Sequence, residues 1–341
     1  MADPSVRDRL ARWAHRLSVW TLAGLLVTLP FWRHRVLVHR PGGPIFFEYL
    51  DITLYTNDLL WLATLGAWLV SWVLGRSPRS FRLGPWFLFG PLAGLLLLSV
   101  AGIPFAVDPV VAGYQAVRQL LLLALNLQLV NMRLARSTVA WSFAAAAVLQ
   151  AAVAIPQFIQ GHSLGLKRLG EVTVQANWPG ASVVMAGTSR WLRAYGLAQH
   201  PNLLAGCMMA MLLVMAGYYL LESTRRRVLL LAAMGLALTT LLLTFSRAAW
   251  LGTMRGGVIL SGLLFLAYRR GMWSLPRSRV TLLAAVSLGV IVVFAVANWS
   301  LLQPRLGLTS QGVEIRSVDD RAMQIGSALT LVQMRPGLGV G

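Results

Sequence analysis

The chain has 341 residues, of which 57% are hydrophobic and only 12% charged. Soluble domains average about 45–50% apolar and about 25% charged residues. The balance excludes a disordered segment, a collagen, a coiled coil and a disulfide-rich secreted module, and it implies an all-α, polytopic transmembrane helical bundle. The net charge is +19, from 30 basic and 11 acidic residues, and Lys167 is the only lysine. In a soluble chain such an excess would suggest nucleic acid. In a membrane protein, basic residues gather in cytoplasmic loops. The single cysteine, Cys207, falls in an apolar run and excludes an internal disulfide or a cysteine-based zinc site.

About 20 apolar residues cross a bilayer. Nine such runs occur, at roughly 17–32, 53–75, 84–103, 109–131, 138–159, 202–221, 228–245, 248–268 and 280–300. The first follows Arg7, Arg9, Arg12 and Arg16 like a signal peptide. Leu29-Pro30-Phe31-Trp32-Arg33 offers no small-residue cleavage site, so it reads as a retained span. A cytoplasmic N-terminus places 16 of the 30 basic residues in five short inner segments and 12 in the much longer outer loops. The positive-inside rule therefore predicts a multi-pass membrane protein with a cytoplasmic N-terminus. Because the inner arginines sit in short loops, nucleic acid is not an expected partner.

Two basic residues remain, Arg118 and Arg255, both inside apolar spans. At 1.5 Å per residue they lie roughly 12–15 Å into the bilayer from the outer side. Intramembrane arginine is costly and marks an internal cavity or pathway. The outer loops 160–201 and 301–341 carry further basic residues against the topological trend, among them Arg193, Arg321 and Arg335. Arg247, in Thr244-Phe245-Ser246-Arg247-Ala248-Ala249-Trp250, stands between two spans with almost no loop. A guanidinium there can snorkel to the interface, or it can bind phosphate oxygens with its planar fork. Spacing alone is compatible with either. Asn202, after His200-Pro201, reads as a helix N-cap. His34 and His39 lack a third ligand, and Gly337-Leu338-Gly339-Val340-Gly341 lacks the strand and spacing of a dinucleotide loop. No metal site and no cofactor are expected.

Three blocks resemble the O-antigen ligase and O-antigen polymerase superfamily of bacterial envelope glycan enzymes. They are Arg193-Ala194-Tyr195-Gly196 with His200-Pro201-Asn202-Leu203-Leu204-Ala205-Gly206; Thr244 to Leu251; and Asp320-Arg321-Ala322-Met323 through Ala328 to Arg335-Pro336-Gly337-Leu338-Gly339-Val340-Gly341. The resemblance implies a GT-C-like fold and a transferase that moves a glycan from undecaprenyl diphosphate to a lipid or glycan acceptor hydroxyl on the periplasmic face. It implies catalytic roles for Arg247 and Arg321 and substrate binding by Arg193. His200, Asn202, Arg118 and Arg255 are added as substrate-binding candidates. The family's histidine base follows the glycine-rich stretch. It would lie beyond Gly341, so the chain is expected to be truncated, with an N-terminal transmembrane region over 1–189 and an incomplete ligase-related domain over 190–341. Membrane lipids complete the expected partners. The competing expectation is a multi-span transporter or flippase for an anionic substrate, since Arg118 and Arg255 would serve such a path equally well.

Overall fold

The computed structural model describes residues 6–39, 51–75, 80–221, 226–272, 274, 276–308, 312–337 and 339, with side chains given except over 312–321. The fold is mostly helical. Among the described residues, seven helices are long and apolar enough to cross a membrane, as a multi-pass chain requires. By contacts the chain separates into two compact units. The first comprises 1–25, 34–134 and 317–341, and the second 26–33 and 135–316. Residues on both sides of position 189 thus share the second unit.

The first unit begins with helix α1 (Val6–Thr28), which starts earlier than hydropathy suggests because its first turns carry arginines. A hairpin of β1 (His34–Val38) and β2 (Ile52–Tyr55) follows, where sequence implied a plain loop. Helices α2 (Thr56–Leu74), α3 (Trp86–Gly102) and α4 (Pro109–Asn131) complete its apolar part. Asp108 caps α4: its Oδ1 accepts from the backbone of Val110 at 3.0 Å and Val111 at 3.2 Å, with Pro109 in the first turn. Inside the unit a polar knot joins three helices. Gln128 of α4 donates through Nε2 to Thr64 O and Oγ1 of α2, both at 3.1 Å, and to Ser18 Oγ of α1 at 3.3 Å. Between apolar helices in lipid, such bonds hold helices together where hydrophobic burial offers little driving force.

The second unit is built on α5 (Arg136–Gln160), α6 (Pro201–Leu221) and α7 (Arg227–Leu243). Half of the α5 span and 44% of the α6 span are buried, so these helices form its core. Buried Ala140, Ala144, Ala147, Ala151 and Ala154 give α5 a thin face that lets neighbours approach. Helices α8 (Arg247–Arg269) and α9 (Arg277–Ala297) are only 11% and 6% buried, and they present apolar surface outward as lipid-facing helices do. Between α5 and α6 lies a second hairpin, β3 (Val183–Ala186) and β4 (Ser189–Leu192).

The stretch 301–341, expected as a loop, contains most of α10 (Trp299–Arg305) and all of α11 (Gly312–Met334). Charged residues at 314, 316 and 319–321 lower the hydropathy of α11 and conceal its helical nature from an apolar-run search. Within the first unit, the Arg335 guanidinium just past α11 donates to Phe105 O.

Helix α8 packs on α6 through Gly252 and Gly256, one turn apart. A Cβ on Gly252 would meet Met209 Sδ at 2.6 Å, and one on Gly256 would meet Leu213 Cδ1 at 2.5 Å, whereas Gly257 has open space. This is the close approach that small residues permit between membrane helices. Gly256→Leu should therefore lower the midpoint of thermal unfolding in detergent, by overpacking worth about 1–3 kcal/mol. Gly257→Leu should leave the midpoint near wild type; equal effects would contradict this packing.

Candidate functional site

The second unit gathers its polar groups where the 161–200 segment meets the first turn of α6 and the α7–α8 turn. Helix α5 supports that segment from below. Gln150 and Gln157 are seven residues apart on one face of α5, and both are fully buried. Gln150 Oε1 accepts from Leu197 N at 2.9 Å, and Gln157 Oε1 accepts from Gly196 N at 2.8 Å. Gln157 Nε2 donates to Gly196 O at 3.1 Å and to Glu171 Oε1 at 2.6 Å. Glu171 is itself buried, and it accepts from the backbone of Leu164 and Leu166. Buried polar groups need partners, and here the loop backbone supplies donors to both glutamine oxygens, while Glu171 and Gly196 O take the Gln157 amide hydrogens. Gly196 is required twice over: its φ is +60°, and a Cβ would stand 2.3 Å from Gln150 Oε1.

Arg193, at the end of this hairpin, is 6% exposed. Its Nε donates to Thr244 O at 2.5 Å, Nη1 to Ser182 Oγ at 2.9 Å and Nη2 to Asn202 Oδ1 at 2.6 Å. One guanidinium fork thus joins the hairpin approach, the start of α6 and the α7–α8 turn. The backbone supports the same junction, since Ala194 N donates to Leu243 O at 3.1 Å.

The N-cap of α6 is His200 rather than Asn202. Pro201 opens the helix, and Asn202 N donates to His200 Nδ1 at 3.1 Å. Asn202 cannot cap because its own carbonyl oxygen faces Arg193. With Nδ1 accepting, His200 Nε2 carries the hydrogen and faces Ser182 Oγ at 3.3 Å. Burial, then the nearby Arg193 charge, lowers the His200 pKa to about 4. Tyr195 stacks edge-on to His200 with ring centroids 6.2 Å apart, and burial raises its phenol pKa.

Arg247 opens α8, immediately after a strained turn. Phe245 is fully buried with φ +49°, a left-handed conformation rare for a bulky residue. Its ring stacks on Phe158 at 6.0 Å and contacts Phe294 at 5.5 Å and Trp250 at 6.1 Å, which holds the backbone there. Half-buried Arg247 follows, and its Nη1 donates to Arg305 O at 3.4 Å. A guanidinium at a helix N-terminus adds positive charge to the positive end of the dipole, an arrangement suited to an anion.

The remaining candidates lie elsewhere. Arg255 is exposed on α8 and contributes to no buried site. Arg118 belongs to the first unit, where its Nη1 donates to Asp58 Oδ2 at 3.1 Å and Tyr114 Oη at 3.2 Å. Its guanidinium also lies 4.9 Å from the Tyr55 ring centroid. The intramembrane charge is therefore met within the protein. Arg321 lies on α11 in the first unit, with its side chain outside the described residues. The structure thus brings Arg193, His200 and Asn202 into one cluster and ties that cluster to the turn preceding Arg247. Gln150, Gln157, Glu171, Ser182 and Asp58 were not singled out from sequence. The signal for the glutamines was two amides seven residues apart in an apolar helix.

Comparisons with protein-family models, curated proteins and solved structures give no match for this chain.

The His200 cap makes the junction acid-sensitive. Between about pH 6.5 and 4 the unfolded chain binds a proton that the folded cap resists, so stability falls as pH drops through that window. In detergent, wild type should lose more unfolding temperature from pH 7.5 to 5 than His200→Asn, which keeps an acceptor at the cap. Parallel losses in the two proteins would contradict the assignment.

Proposed function

We propose that the chain is an integral membrane glycan transferase related to O-antigen ligases and polymerases, with a GT-C-like arrangement of about nine spans. It would take a glycan from undecaprenyl diphosphate and pass it to an acceptor hydroxyl at the outer face of the inner membrane. The observation that carries this reading is the placement of Arg247. It sits at the N-terminus of α8, half-buried, behind a backbone strained at Phe245 and braced by aromatic rings. Strain held by surrounding packing is a mark of functional positions. The chemistry fits. When the glycosidic bond to the diphosphate breaks, negative charge grows on the leaving phosphate oxygen. Fixed positive donors in a partly dry site stabilise that charge.

In this reading Arg247 is the group that meets the diphosphate. Arg193 is a positioning residue, because its three donor nitrogens are directed at protein acceptors. Asn202 and His200 serve the same junction, so their contribution to substrate binding is indirect. Arg321 keeps a role only through the resemblance of its block. Direct attack of the acceptor would invert the anomeric centre and needs a base for the hydroxyl proton.

A second reading has its own observation. The Arg118–Asp58–Tyr114 cluster lies within membrane-spanning helices, where ionisable groups mark substrate or ion paths. It favours a transporter or flippase of an anionic lipid-linked substrate.

Transfer from an undecaprenyl diphosphate-linked oligosaccharide in proteoliposomes separates the two. Arg247→Ala should reduce transfer by about 100-fold or more, the usual loss when one charge-stabilising donor is removed. Arg247→Lys should recover part of it. A wild-type rate in Arg247→Ala contradicts the transferase site, and vectorial movement of the lipid without glycan transfer supports the second reading.

A further inference from the structure

The first unit carries a basic cavity that neither the transferase nor the transporter reading uses. It lies where α1 begins and α2 and α4 end. A space of about 340 Å³ is lined by Arg12, His15 and Arg16 of α1, Ser71 and Gly75 at the end of α2, and Arg133 just beyond α4. No acidic side chain lines it among the described residues.

Arg12, His15 and Arg16 are spaced three and four residues apart, so they share one helical face. The like charges of Arg12 and Arg16, four residues apart, disfavour the helix. Arg133 adds a third arginine to the same lining from a different element, so the positive charge there is not confined to one helix. The partial negative charge at the end of α2 does not relieve it there, since Arg7 donates to Leu74 O at 3.2 Å and Val73 O at 3.4 Å. An arrangement of this kind calls for an anion with several acceptor oxygens.

A second space, of about 470 Å³, adjoins the first through Arg16 and is lined otherwise by Trp13, Leu17 and Trp20. Trp13 and Trp20 are 68% and 75% exposed, so both rings are open to lipid. They are one heptad apart, with Leu17 between them, and Arg16 lies 5.8 Å from the Trp13 ring centroid. A space lined by basic residues and an apolar groove thus share Arg16 along one helix. A free phosphate would account for the first space and leave the groove without purpose. A bilayer surface would account for the tryptophans and not for the convergence of Arg133 on Arg12 and Arg16.

We propose that this end of the first unit binds one anionic phospholipid, with its phosphate among Arg12, His15, Arg16 and Arg133 and its acyl chains along Trp13, Leu17 and Trp20. Basic pockets between membrane helices on the arginine-rich side are suited to such headgroups. The lipid neutralises the clustered charge and covers the exposed rings. The site does not depend on the transferase reading.

Native mass spectrometry of the full chain released from detergent micelles tests this, with phosphatidylglycerol and phosphatidylcholine titrated separately. Wild type should retain one phosphatidylglycerol with at least tenfold preference over phosphatidylcholine. Arg12→Gln/Arg16→Gln/Arg133→Gln should lose that preference, and Arg133→Gln alone should reduce it several-fold while altering one exposed side chain. Trp13→Ala/Trp20→Ala should weaken retention of either lipid. Equal retention of the two lipids, or an unchanged preference in the arginine variants, would overturn the proposal. So would displacement of the lipid by millimolar inorganic phosphate, which would show an anion site without a lipid, or a lipid-free dimer closed over the tryptophans.

Discussion

The second unit depends on how one buried positive charge is held. Arg193 has been taken out of water, and burial of a charge is costly unless every donor finds an acceptor. The acceptors come from three separate elements: Ser182 before the hairpin, Asn202 in the first turn of α6, and the carbonyl of Thr244 at the α7–α8 turn. None of the three can move far without leaving a guanidinium nitrogen unsatisfied. The neighbouring bonds share this logic. Gln150 and Gln157 bind the backbone at 196–197, Glu171 binds Gln157 and the backbone of 164 and 166, and His200 closes the end of α6. These bonds act together with the loop's own buried apolar cluster of Val174, Leu192 and Tyr195 to hold the 161–200 segment in place.

That rigidity bears on Arg247. Thr244, whose carbonyl receives Arg193, is three residues before it, and the strained Phe245 lies between. The left-handed backbone at Phe245 is maintained from both sides, by the Arg193 bond on one and by the rings of Phe158, Trp250 and Phe294 on the other. The reward is a guanidinium presented at a helix start in a fixed position. A site meant to meet a diphosphate benefits from donors that need no reorganisation when charge develops.

Much of this organisation was legible in the sequence. Each of the nine apolar runs overlaps a helix, and seven of those helices among the described residues are long and apolar enough to cross a membrane. The arginine-containing blocks at 193–206 and 244–251 contain the residues that converge on the junction. Roles were harder to read. Asn202 has the residue type of a cap, yet His200 caps, because the competing Arg193 comes from a loop whose path the sequence does not reveal. Arg118 looked like a pathway charge, and its partner Asp58 lies 60 residues away. The hairpins and α11 escaped notice since hydropathy is silent on polar elements. Both units nevertheless use the same device: long-range side-chain bonds that tie polar segments to apolar helices.

The most direct test of the account is amide hydrogen exchange on the purified protein with and without Arg193. In Arg193→Gln, protection should fall together in two segments distant in sequence, 182–202 and 244–248, while the α5 interior at 140–151 stays protected. Faster exchange confined to 182–202, with 244–248 unchanged, would contradict the claim that Arg193 holds the Arg247 turn in place.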